Sequence, residues 1–340
     1  MVLEHLFPED WLEKKVRYAF LLGVVYSVVG IILARLLFGA NSGLASVIFT
    51  SLLLIPSLRK LFVREEKVEE REKKFSFKHL YTDNKHLIEA YMGVFLGVYV
   101  TYYLVSFLGM YFGFNTVNIL REQLFLDPAI SGRATYNASL FWSILSNNWW
   151  VLAACFLLSL ISGDGAVFFV VWNASAWAAI FGFRAVAAAA VLGKSALGVG
   201  LTMNIITFPH ILLEGGAYIL AGIAGAVISS EVILRSKELR NFLFYLVVAL
   251  VSFYFLNWFL KLFMYGWPLF VLRMGLFMGV LYLLKYSFSD KKHKEVFIYN
   301  YFLFAIALVV FIIGALVETG VLSFSTTLNT YYAASMGFLP

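Results

Sequence analysis

An all-α, polytopic transmembrane helix bundle is the fold class this sequence predicts. About eight to ten membrane helices are expected, one of them re-entrant or interfacial. Three observations point there. Of 340 residues, 61% are hydrophobic and only 14% are charged, against roughly 45–50% and about 25% in a soluble globular chain. Mean hydropathy is +0.84, and apolar runs of the length needed to cross hydrocarbon, about 20 residues at about 1.5 Å each, recur along the chain. A soluble enzyme, a disordered chain and a collagen are excluded.

Taken in order, residues 1–17 mix acids and bases around Trp11 and Leu12 and read as an interfacial helix. The run Tyr18 to Phe38 lacks a small-residue cleavage site and is too long for a signal-peptide core, so it is a retained span. Asn41-Ser42-Gly43 turns the chain into a shorter run from Leu44 that Pro56 should bend or end. The pair forms a hairpin, closing a first unit at 1–58. Residues 59–89 are a charged linker, where Arg64 to Lys74 alternates sign at helical spacing as a solvated helix does. Further apolar runs begin near Ala90, Trp149, Gly165, Phe208, Phe242, Pro268 and Phe297. Trp149–Ile161 reaches spanning length only if Phe141–Ile144 continues the helix. Ala185–Gly200, rich in Ala, Val and Gly and carrying Lys194, is expected to lie re-entrant or interfacial, so that 185–207 does not cross. This organisation gives a polar-cored unit at 90–230 and a C-terminal three-helix group at 231–340.

Charge placement gives the orientation. With a cytoplasmic N-terminus and nine spans, the inner segments hold Lys14, Lys15, Arg17, nine bases of 59–89, Arg235, Lys237, Arg240, Lys285, Lys291, Lys292 and Lys294, which is 19 of the 26 Lys and Arg. That asymmetry accounts for the net charge of +6 through topology and not nucleic acid. The expectation is a multi-pass plasma-membrane protein whose C-terminus, Ser323 to Pro340, faces outside. Cys155 is the single cysteine, so neither an internal disulfide nor a cysteine metal cluster can form.

Only Asp164, Glu214 and Glu318 among the acids, and only His210 among the histidines, fall in or beside apolar runs. Intramembrane ionisable groups are expensive and mark function or a specific pairing. If Pro209 opens a helix, His210 and Glu214, four residues apart, share a face, and the carboxylate can accept from the imidazole. Such a pair suits a proton relay, a partial metal site, an acid/base pair, or a structural hydrogen bond. A zinc site needs a third ligand, for which Asp164 is the candidate; otherwise Gly163-Asp164-Gly165 caps the following helix or holds an ion. No His-Glu-x-x-His, Gly-x-Ser-x-Gly, P-loop or Gly-x-Gly-x-x-Gly signature is present. Ala221, Gly222, Ala224, Gly225 and Ala226 permit close helix approach, within the chain or at a homo-oligomer seam.

The string Phe141-Trp142-Ser143-Ile144-Leu145-Ser146-Asn147-Asn148, then Gly163, Asn173, Gly182, Pro209-His210 with Glu214, and Ala221-Gly222-Ile223-Ala224-Gly225 resembles the stage II sporulation protein M family of integral membrane proteins. Ile211 stands where that family's Pro-His-Gly-x-x-Glu pattern has glycine, and Ala174 where a glycine follows the asparagine at 173. The resemblance covers about 135–230. It implies a polytopic partner in a complex with peptidoglycan-remodelling proteins, not itself the hydrolase, and gives weight to Asn148, Asn173, His210 and Glu214.

The leading expectation is therefore an embedded scaffold or subunit of a membrane- or envelope-organising complex, with Asn147, Asn148, Asn173, His210 and Glu214 as a buried polar cluster. Its partners are the bilayer and other membrane or envelope proteins reached through 59–89. No cofactor is required, beyond a metal ion if His210 and Glu214 hold one. A transporter or channel using His210 and Glu214 is the second reading, and an intramembrane metal-dependent hydrolase the third.

Overall fold

The computed structural model describes residues 16–39, 42–69, 77–114, 138–233 and 236–338. The interfacial helix expected at 1–17 lies almost wholly outside them, as do the side chains of the charged run Arg64–Lys74. No strand occurs among the described residues. The helices are α1 (Val16–Phe38), α2 (Gly43–Glu69), α3 (Phe77–Tyr111), α4 (Ala138–Ser162), α5 (Ala166–Leu192), α6 (Ala196–Ile233), α7 (Ser236–Leu260), α8 (Gly266–Leu283), α9 (Lys291–Phe324) and α10 (Thr326–Ser335). Eight of them are long and apolar enough to cross a membrane, and Gly43–Arg59 of α2 is a shorter apolar helix. The protein is a multi-pass helical bundle.

Two prolines expected to bound helices lie inside them. α2 continues past Pro56, and α6 runs through Pro209. Each proline withdraws one backbone N–H and leaves the carbonyl four residues earlier without it. Inside a packed membrane helix the turns on either side hold. The expected re-entrant stretch also resolves differently. Its first part completes α5, its last part opens α6, and the turn between them is Gly193-Lys194-Ser195. Gly193 takes φ +62° as the C-cap of α5, Lys194 N–H donates to Ala189 O, and the Ser195 hydroxyl accepts from Gly198 N–H. Residues 185–207 thus belong to two helices long and apolar enough to cross a membrane.

α5 and α6 form the enclosed centre. α3 packs along α5 and carries the α1–α2 hairpin on its outer side, while α4 and α9 lie along α6. Glycines set the tightest crossings. A Cβ at Gly97 would strike Phe20 O of α1, and one at Gly225 would strike Phe156 O of α4. The Ala221–Ala226 stretch, open in sequence to a homo-oligomer seam, is fully buried within the chain. On the other flank, stacked Phe156 and Phe304 (4.2 Å) and edge-on Trp149 and Phe277 (5.3 Å) tie α4, α9 and α8 together. Of the last three long helices, α7 and α8 are peripheral and α9 lies along α6.

The ends of the bundle are fixed by polar contacts. At one end Arg59 Nε lies 3.9 Å from Asp164 Oδ2. Asp164 does not cap α5. Gly165 is the N-cap without a side-chain hydrogen bond, and the Ser159 hydroxyl of α4 accepts from Ala166 N–H instead, at 2.8 Å. Burial raises the Asp164 carboxyl above the usual aspartate range, and Arg59 pulls it part of the way back. An acid that binds its proton more tightly when folded adds stability as pH falls through its folded titration, levelling off below its unfolded value. In Arg59→Gln that gain should begin at a higher pH than in wild type, as thermal unfolding across a pH series in detergent will read. Superimposable curves would contradict this.

At the other end, buried Arg184 of α5 holds α10. Its Nη1 donates to Ser335 Oγ (3.0 Å) and Tyr332 O (3.4 Å), and its guanidinium lies 4.6 Å from the Tyr332 ring centroid. Lys194 adds a contact with Tyr331 at 5.3 Å. Hydrogen bonds to a charged group are worth about 1.5–3 kcal/mol. Arg184→Met is therefore expected to loosen 326–338 while the span core stays protected, read as local hydrogen exchange. Unchanged exchange there would overturn this role.

Candidate functional site

The polar groups inside the bundle converge on Glu214. Asn148 Nδ2 of α4 donates to Glu214 Oε2 at 3.2 Å. From α9, Glu318 lies one turn beyond Gly314, which sits against Glu214, and its carboxyl faces that of Glu214. The approach is possible because Gly314, one turn before Glu318, has no side chain; a Cβ there would stand 2.9 Å from Glu214 Cγ. Gly215 does the same on the other side, where the Phe95 ring occupies the space of a Cβ. Trp177, stacked on Tyr218 at 6.4 Å, and Phe311, 6.5 Å from Tyr218, add an aromatic layer.

Glu214 is 1% exposed and His210 4% exposed. Glu318 is partly exposed at the bundle surface, with its Oε2 enclosed. No amide, hydroxyl or amine donor reaches Glu214 Oε1 or Glu318 Oε2 among the described residues. Neither carboxyl has a Lys or Arg ion-pair partner there. The Tyr218 hydroxyl and His210 Nδ1 are likewise buried without hydrogen-bond partners. The expected His210–Glu214 hydrogen bond is not formed, although both side chains lie on α6.

The other sequence candidates separate from this cluster. Asn147 is exposed, since a helix turns about 100° per residue and Asn148 takes the inward position. Asn173 is half-buried and donates to Phe169 O of its own helix at 2.8 Å. Asp164 is remote. Gly163 beside it faces Ser229 of α6, and Glu214 lies fifteen residues before Ser229, about 22 Å along the helix. Asn148, fourteen residues before Ser162, gives the same depth, about 21 Å. Asp164 therefore cannot complete a metal site with His210 and Glu214. Among the described residues no group of three His, Cys, Asp or Glu is arranged to hold a metal ion. Glu318 was the residue missing from the expected cluster, and its signal was available as one of the few acids in an apolar run.

No protein-family model matches the chain, and no curated protein or solved structure is significantly similar to it.

Proposed function

We propose that this protein is a membrane transporter or channel for an ion or small solute, with Asn148, Glu214 and Glu318 as its working site. One observation carries the proposal: two carboxyls and an amide from three helices meet inside an apolar bundle, with no Lys or Arg among the described residues to neutralise them. Ionisable groups at membrane depth are retained where they line ion or proton paths. A purely structural polar cluster satisfies its own hydrogen bonds; here the Tyr218 hydroxyl and His210 Nδ1 have no partner among the described residues. In this reading the 59–89 linker and the Arg59–Asp164 end face the cytoplasm of a plasma-membrane protein, and α10 faces outside. Ion and solute flux into proteoliposomes tests it. Flux is expected in wild type and at the level of empty vesicles in Glu214→Gln. No wild-type flux for any ion or solute overturns the proposal.

A second reading is favoured by the resemblance of 135–230 to the stage II sporulation protein M family, on Asn148, Asn173, His210 and Glu214. It makes the chain an embedded scaffold of a membrane- or envelope-organising complex that docks partners through 59–89. Copurified partners lost when the charged run Arg64–Lys74 is replaced by a neutral linker would support it. Retention of the same partners would count against it.

A further inference from the structure

We infer that Glu214 and Glu318 together bind one proton, which makes the proton the transported or coupling ion of the site; this rests on the transport reading above. Two carboxyl groups facing each other at close range attract only with a proton between them, since two carboxylates there repel. Among the described residues no Lys or Arg offsets a second negative charge. Asn148 of α4 donates to Glu214, Tyr218 of α6 lies near both carboxyls with Cys155 of α4 beside it, His210 is one turn away on α6, and the Phe95 ring of α3 lies against the neighbouring Gly215. Tyr218, 1% exposed, places an unpartnered hydroxyl within electrostatic reach of both carboxyls, a ready donor or acceptor for a proton in transit.

A metal cation fits less well. Asn148 turns its N–H groups toward Glu214, whereas a hard cation needs several oxygen ligands. Of the pair, Glu318 is partly exposed while Glu214 is sealed, so Glu318 is the first to receive a proton. A hydronium ion gives its proton to the Glu318 carboxylate and leaves as water. The new O–H donates to a Glu214 oxygen, and release reverses the transfer. With the proton gone, two carboxylates face each other across the Gly314 contact, and their repulsion acts to part α9 from α6.

The test is an infrared pH titration of the protein in nanodiscs, paired with a pH-sensitive dye inside proteoliposomes. Wild type should show one titrating carboxylic-acid carbonyl band that is indifferent to sodium at fixed pH. The band should be lost in Glu214→Gln/Glu318→Gln, and the dye should report proton entry. Absence of a titrating band in wild type overturns the inference, as does a band that survives in the double variant. A band removed by sodium at fixed pH assigns the site to a metal cation and also overturns it. The band without proton or solute flux upholds the proton site and overturns the transport reading; solute flux without the band does the reverse. The wild-type measurements need no variant to fold.

Discussion

Leucine at Gly225 is expected to prevent the bundle from assembling. A Cβ at that position would fall onto Phe156 O, within 2.9 Å of Leu160 N and 3.0 Å of Ser159 Cβ. The first two of these atoms are backbone of α4 and cannot rotate away. α6 must move off α4, and the same interface carries the Asn148–Glu214 hydrogen bond further along. Overpacking commonly costs about 1–3 kcal/mol and more where nothing can yield; small residues are what let membrane helices pack this closely. Thermal unfolding and size-exclusion profiles in detergent should show loss of the folded protein. Gly279→Ala is the control. Nothing lies within 4 Å of a Cβ there, and alanine should add up to about 1 kcal/mol of helix preference. A Gly225→Leu protein as stable as wild type would refute the tight crossing.

Replacing both acids by methionine, Glu214→Met with Glu318→Met, should give the opposite pairing of effects: a protein at least as stable as wild type that transports nothing. Among the described residues no amide, hydroxyl or amine reaches Glu214 Oε1 or Glu318 Oε2, both buried. Exchanging such groups for apolar side chains of similar volume is often neutral or stabilising by about 1–4 kcal/mol. Asn148 loses its acceptor, which subtracts about 1 kcal/mol. Unfolding temperature together with flux reads both effects. A double variant clearly less stable than wild type would mean the acids serve packing, and the case for a working site would weaken.

How far the sequence discloses this molecule depends on the range of the interaction. Hydropathy is local, so the spans were legible, including the need for Phe141–Ile144 to lengthen α4. Capping is local too, yet Gly193-Lys194-Ser195 was hidden inside a run of Ala, Val and Gly whose composition suggested an irregular segment. Pro209 misled because proline most often marks a helix start, whereas here the helix passes through it. The partnership of Glu214 with Glu318 was not legible at all. It joins residues 104 apart in sequence and depends on α9 lying along α6, with Gly314 facing Glu214. The burial of α9 against α6 is not legible either, because hydrophobicity is the same whether a side chain meets lipid or another helix. The split of Asn147 from Asn148 likewise required the rotation of α4.

The depth of the carboxyl pair has an electrical meaning. It lies about 21–22 Å from the Asp164 end along α4 and α6, and Glu318 is six residues, about 9 Å, from the C-terminal end of α9. On the transport reading, a proton reaching that depth would cross part of the voltage drop of a hydrocarbon layer about 30 Å thick. One elementary charge moved through the whole drop changes energy by about 2.3 kcal/mol per 100 mV, so the membrane potential would bias from which side the site fills.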